Sequence, residues 1–232
     1  MLALLALLVT TPLLADFPPV PALKGRVNDY AGMISPQAQA QIERKLAALE
    51  AEDGTQIAVL TVPSLKGEPI EMYSIRVADA WKIGEKGRDN GVLLIVSKGD
   101  RKVRIEVGYG LEGRLTDLES GRIIRGVIQP AFAGGQFDAG FIGAADALVT
   151  AVKGEYKGNP SAKAKKGDKP SVPLVFIILA VLYFYLRQFG GRHHGGPYVS
   201  GGFGPGGGIF TSGGGFGGGG GGFGGGGASG DW

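Results

Sequence analysis

Cysteine is absent from the 232 residues, which excludes disulfides, thiolate zinc sites and thiol nucleophiles together. Histidine is nearly absent. The two present, His193 and His194, sit in a glycine-rich stretch near the end, so the rest of the chain has none for a triad, a zinc site or a haem. No P-loop, no Asp-x-Asp nucleophile signature and no His-Glu-x-x-His occurs. A large excess of one charge is missing too. The net +3 conceals a region, residues 16–156, with 17 basic and 19 acidic side chains, net −2. The excess base behind the pI near 9.0 lies beyond it, so the region has no basic face for nucleic acid.

What the chain does have is two apolar runs. Residues 1–15 (MLALLALLVTTPLLA) end on a small residue ahead of Asp16, Phe17, Pro18 and Pro19, the pattern of a secretory signal peptide cut after Ala15. An uncleaved N-terminal anchor is the alternative; either way the following region is exported. The second run, residues 172–186 (VPLVFIILAVLYFYL), carries no charge over 15 residues. As a helix it covers about 22 Å, short of the roughly 30 Å hydrocarbon core. Continuing to Phe189 extends it, since Arg187 can snorkel to the headgroups, and Tyr183 and Tyr185 suit an interfacial belt. A buried core helix is the alternative, but nothing following it could cover it. Residues 172–189 are therefore read as a transmembrane helix.

The signal peptide places the folded region outside and the tail in the cytoplasm. Lys163, Lys165, Lys166 and Lys169 before the span, against Arg187 and Arg192 after it, favour the reverse by the positive-inside rule. The first segment usually dominates and decides the reading. The expected organisation is a signal peptide at 1–15, an extracytoplasmic domain at 16–156 and a Lys-rich linker at 157–171. The membrane helix follows at 172–189 and a tail at 190–232. That tail holds 24 of the 44 glycines, with Phe203, Phe210, Phe216 and Phe223 spaced through it. It cannot bury enough apolar surface to offset chain entropy and is expected to be disordered, with its aromatics available for weak multivalent contacts or for nothing specific.

Inside 16–156 the periodicities are clear. Ser35 and Pro36 form a helix start, with Ile42, Leu46 and Leu49 on one face and Gly54 as the stop. Residues 56–62 (QIAVLTV) read as a buried strand, 69–83 as a helix, and 91–97 (GVLLIVS) and 102–107 (KVRIEV) as strands. The turn at Lys98, Gly99, Asp100 and Arg101 makes the last two an antiparallel hairpin, whereas the intervening helix makes the first two parallel. Helices follow at 117–128, capped by Thr116 and Glu119 and stopped at Pro130, and at 138–152. The fold class is α/β, a small mixed sheet with helices on both faces.

This topology brings the loop 85–90 to the loop 109–117 at one rim. Asp89, Glu112 and Asp117 would cluster there with the amide of Asn90, an all-oxygen set suited to Ca2+ or Mg2+. The plainer alternative is a turn at Asp89, Asn90 and Gly91, with Asp117 complementing a helix N-terminus. Gly108, Gly110 and Gly113 match G-x-G-x-x-G, but their strand belongs to a hairpin and Glu112 and Asp117 would repel a pyrophosphate. No nucleotide is expected, and catalysis would have to be metal-assisted through carboxylates.

The residues VNDYAG at 27–32, DNGVLL at 89–94, RIEVGYGLEGRLTD at 104–117, GRII at 121–124, QPAF at 129–132 and FDAG at 137–140 resemble the TPM domain. The closing GASGDW at 227–232 is similar to the membrane-anchored, YgcG-like bacterial branch. The resemblance covers about residues 27–152. It implies a three-layer α/β/α domain outside the cytoplasmic membrane, or its thylakoid equivalent. Family members are linked to photosystem II repair, to accessory roles beside a neurotransmitter receptor, to acid phosphatase activity and to calcium binding. A site carried over from the family would include Asp29, Asp89 and Asp117, with Thr116 standing where the family commonly has proline. The chain is thus expected to be a non-catalytic accessory or maintenance factor for an integral membrane protein complex. A Ca- or Mg-dependent phosphatase is the alternative.

Overall fold

A computed structural model describes residues 17–155 and 217–232. A single mixed sheet of five strands runs β1-β2-β3-β4-β5. Strands β2 (Gln56–Val62) and β3 (Gly91–Ser97) are central and every residue of both is buried, which is why their sequences are apolar almost throughout. They are parallel because helix α2 (Ile70–Trp81) carries the chain back between them. The turn after Ser97 reverses the chain, so β4 (Lys102–Gly108) pairs antiparallel with β3, as its alternation and the tight turn predict. Strand β1 (Val27–Asp29) adds to β2 in parallel. At only three residues, it is too short to show a period in sequence.

Helices cover both faces, so the expected three-layer α/β/α arrangement holds. On one face α1 (Pro36–Asp53) packs Ile42, Leu46 and Leu49 onto Ile57, Val59 and Leu94, alongside α5 (Phe137–Val152). Ser35 Oγ accepts from Ala38 N–H at 3.2 Å and Gly54, at φ 80°, closes the other end of α1. On the other face Tyr73, Val77 and Trp81 of α2 lie on Leu60, Leu93 and Ile95. Residues 17–23 strap this helix down: Trp81 Nε1 donates to Pro21 O at 2.8 Å and Arg76 Nη2 to Pro18 O at 2.9 Å. Burial there pushes the Tyr73 hydroxyl up to about 12.

Helix α3 (Asp117–Ile123) begins with the expected capping box of Thr116 and Glu119. It does not stop at Pro130. A π turn (Ile124–Ile128) widens the helix, and α4 (Gln129–Ala133) continues with Pro130 in its first turn. Gln129 N–H donates five residues back to Ile124 O, so the chain resets its bonding just where proline has no N–H to offer.

The tail is the main correction. Residues 223–231, expected to be disordered with the rest of 190–232, form β5 (Phe223–Asp231) and pair antiparallel with β4. They belong to the same compact unit as residues 17–155. Glycine alone cannot offset the entropy of its ordering, but here β4 supplies backbone hydrogen bonds and the sheet faces take up Phe223, Ala228 and Trp232. The stretches expected to be a signal peptide at 1–15, a linker at 157–171 and a transmembrane helix at 172–189, with tail residues 190–216, lie outside the described residues. Among the described residues no helix is long and apolar enough to cross a membrane.

Candidate functional site: a carboxylate rim that holds a strand

The two loops meet at one rim as the topology predicts. Gly110 N–H donates to Asp89 O at 3.0 Å, and the main chains approach so closely that a side chain at Gly110 would collide with Arg88 O. Asp89 itself lies in the left-handed region at φ 49°, which aims its carboxylate out of the turn.

The rim carboxylates face the tail rather than one another. Asp89 Oδ1 accepts from Gly222 N–H at 2.8 Å, and Asp117 Oδ1 accepts from Gly227 N–H at 2.7 Å. Glu112 Oε1 lies 2.6 Å from the point a Cβ on Gly226 would occupy, so the Glu112 side chain lies over the strand at Gly226. The other two expected ligands are elsewhere. Asn90 is buried and structural: its Oδ1 accepts from Glu85 N–H at 2.8 Å and its Nδ2 donates to Gly54 O at 3.0 Å.

Asp29 sits at the opposite end of the sheet. It pairs in register with Thr61, which pairs with Val96 at the far end of β3, about 20 Å along the strand from Asn90. There it accepts from the N–H groups of Met33 and Ile34 and from the Thr61 hydroxyl. Burial acts on Asp29 first and upward, but these donors outweigh it and hold the carboxyl below its ordinary value. Among the described residues, no three or more acidic or histidine side chains gather in a way that could hold a metal ion.

A second set of polar side chains, which sequence reasoning missed, completes the slot. Arg104 and Glu106 project from β4 toward α2, both buried, with Nε donating to Oε2 at 2.6 Å. Ser74 of α2 joins them, donating to Glu106 Oε2 at 2.8 Å and accepting from Arg104 Nε at 2.9 Å. The guanidinium then reaches across the edge: Nη1 donates to Ser229 Oγ at 3.0 Å and Nη2 to Gly225 O at 2.9 Å. Ser229 Oγ in turn donates to Glu71 Oε1 at 2.6 Å, and this bond, against burial, keeps the Glu71 carboxyl below its usual range. At the far end Gln129 Nε2 donates to Asp231 O at 2.6 Å, and the Trp232 ring meets Phe132 edge-on at 5.0 Å. A readable signal was Arg104 and Glu106 at inward positions of a strand, where a charge pair is expected to have a dedicated partner.

The geometry therefore defines a mixed α/β/α domain whose acidic rim and fourth strand hold an extended peptide segment. The TPM domain family matches residues 27–151, more than half of the chain, and the chain belongs to that family. Its fold is similar to the solution structure of the N-terminal domain of a protein from P. gingivalis, at 31% identity and TM-score 0.53, covering 58% of this chain and 86% of that one. The N-terminal domain of the cg2496 protein of Corynebacterium glutamicum matches at 19% identity and TM-score 0.46, covering 65% and 93%. The BA42 protein of Bizionia argentinensis matches at 19% and 0.45, covering 55% and 86%. Among curated proteins, none matches the chain.

Proposed function

We propose that this TPM-domain protein is attached to the cell membrane with its domain outside the cytoplasm, and that it serves a membrane protein complex as a non-catalytic accessory factor. One observation carries the reading. Asp89 and Asp117, the two carboxylates best placed for chemistry, each accept a backbone N–H from an extended segment. The segment is the chain's own tail, so both rim carboxylates are engaged by main-chain amides, which favours a structural role for the rim over catalysis there. The bilayer and an integral membrane protein complex are its partners in this reading. The apolar runs at 1–15 and 172–186 support the location.

Crosslinking in native membranes tests the role. One membrane protein should be recovered reproducibly with the full-length chain, and recovery of none contradicts it. The competing reading, a Ca- or Mg-dependent phosphatase at the rim, predicts release of phosphate from a generic ester. It also predicts collapse of that turnover in Asp89→Ala with Asp117→Ala while the fold persists. The accessory reading predicts no turnover above a blank with either ion.

A further inference from the structure

We infer that residues 217–232 lie on the same side of the membrane as the TPM domain, seated in cis as its built-in fifth strand. The chain then does not cross the bilayer between residues 155 and 217. This replaces the cytoplasmic tail that the signal peptide and a single span imply together.

The segment leading into β5 is held as specifically as the strand itself, which pairs with β4 from Gly108 and Phe223 to Lys102 and Asp231. Lys86 N–H donates to Gly219 O at 3.0 Å, Gly220 N–H to Lys82 O at 2.8 Å, Gly221 N–H to Gly84 O at 3.0 Å and Tyr109 N–H to Gly222 O at 3.3 Å. The glycines are required by shape: a Cβ on Gly221 would come within 2.5 Å of Ile83 O, and one on Gly230 within 2.7 Å of Ile124 Cγ2. Gly227, at φ +125°, adopts a backbone that side-chain-bearing residues rarely reach and would collide with Ile105 O. Phe223 packs on the α2 face, while Ala228 and Trp232 pack on the other. Glycine richness here is a fit to this slot, and the slot also buries the Arg104–Glu106 pair.

Hydrogen bonds of about 3 Å cannot span a hydrocarbon core about 30 Å thick. A chain with β4 and β5 paired has crossed the bilayer an even number of times between residues 155 and 217. Two crossings need two runs of about 20 apolar residues, and residues 156–216 hold one run of 15. The number is therefore zero. The intervening 61 residues can extend to about 200 Å, ample to return the strand to its own domain. A tethered strand competes at an effective concentration of roughly millimolar, which favours cis over exchange between copies.

The absence of native cysteine makes a direct test available. Lys102 and Asp231 are register partners. Trp232 N–H donates to Arg101 O at 3.2 Å, so the adjoining 102/231 pair is of the non-hydrogen-bonded kind, with Cα atoms about 4.5 Å apart and within disulfide reach. In the full-length chain in native membranes, K102C/D231C treated with a mild oxidant should give a monomer whose altered gel mobility reverts on reduction. The single variants K102C and D231C should both react with a membrane-impermeant maleimide from the same face. Labelling from opposite faces overturns the inference. So does a reduction-sensitive dimer in place of the crosslinked monomer, and so does labelling from one face with no crosslink in the pair variant.

Discussion

The Asp117 carboxylate accepts a hydrogen bond from the Gly227 N–H at 2.7 Å, across 110 positions of sequence. A residue expected to bind a cation is thus taken up by the main chain of the tail. Four consequences of that contact can be measured.

Replacing the rim acceptors should loosen the tail without unfolding the domain. Asp89→Ala and Asp117→Ala each remove a charged acceptor from a backbone donor, an interaction of about 1.5 to 3 kcal/mol, discounted because Asp117 is exposed. Amide exchange at residues 222–231 should quicken in both variants while β2 and β3 keep their protection. Loss of protection throughout the sheet would contradict this.

Gly227 of β5 should be intolerant of any side chain. Gly227→Val combines a positive φ with a collision against Ile105 O and should undock the strand, read as faster exchange at Ala228 and Gly230. Gly113→Ala is the matched control, since nothing lies within 4 Å of its added Cβ, and should change stability by less than about 0.5 kcal/mol.

Truncating Arg104 should be costly out of proportion to its position near an edge. Glu106 is fully buried and its Oε1 already has no hydrogen-bond partner, so Arg104→Ala leaves an uncompensated buried carboxylate, a loss of about 3 to 5 kcal/mol by denaturant unfolding. Arg104→Ala with Glu106→Ala should recover part of that loss. If the double variant is as unstable as the sum of the singles, the pair is not a unit.

Acid should release stability in two places. Asp29 is held below its ordinary 3.8, so its contribution is complete above that value and is lost as pH falls through the lower folded value. The stability gap between the native chain and Asp29→Asn should therefore be constant near neutrality and close below about pH 4. Glu71 is held below 4.5, first by the Ser229 hydroxyl, so docking of the tail should weaken by the same sign as pH drops past that value. Exchange at Gly230, whose N–H faces β4, compared with Glu71→Gln and corrected for the intrinsic pH dependence of exchange, reads the second effect. A gap that widens in acid would reverse the assignment.

Most of the domain was legible because its elements carry side-chain periods. Ile42, Leu46 and Leu49 repeat at helical spacing, and 56–62 and 91–97 are apolar runs of strand length. The meeting of loops 85–90 and 109–117 followed from strand directions alone. Strand β5 was illegible for a physical reason: FGGGGASGD has almost no side chains, so neither periodicity nor propensity marks it. Its order is written on its neighbours, in Arg104, Glu71, Asp89 and Asp117, whose partners cannot be inferred without the sheet. Asp29 was grouped with the rim by family likeness, and the parallel pairing of β1 carries it to the other end.

Amide hydrogen exchange of the full-length chain at residues 223–231 tests the account most directly. Pairing with β4 predicts protection there that rises and falls with that of Val103 and Ile105. Exchange at the rate of unstructured glycine, with β4 still protected, would contradict it.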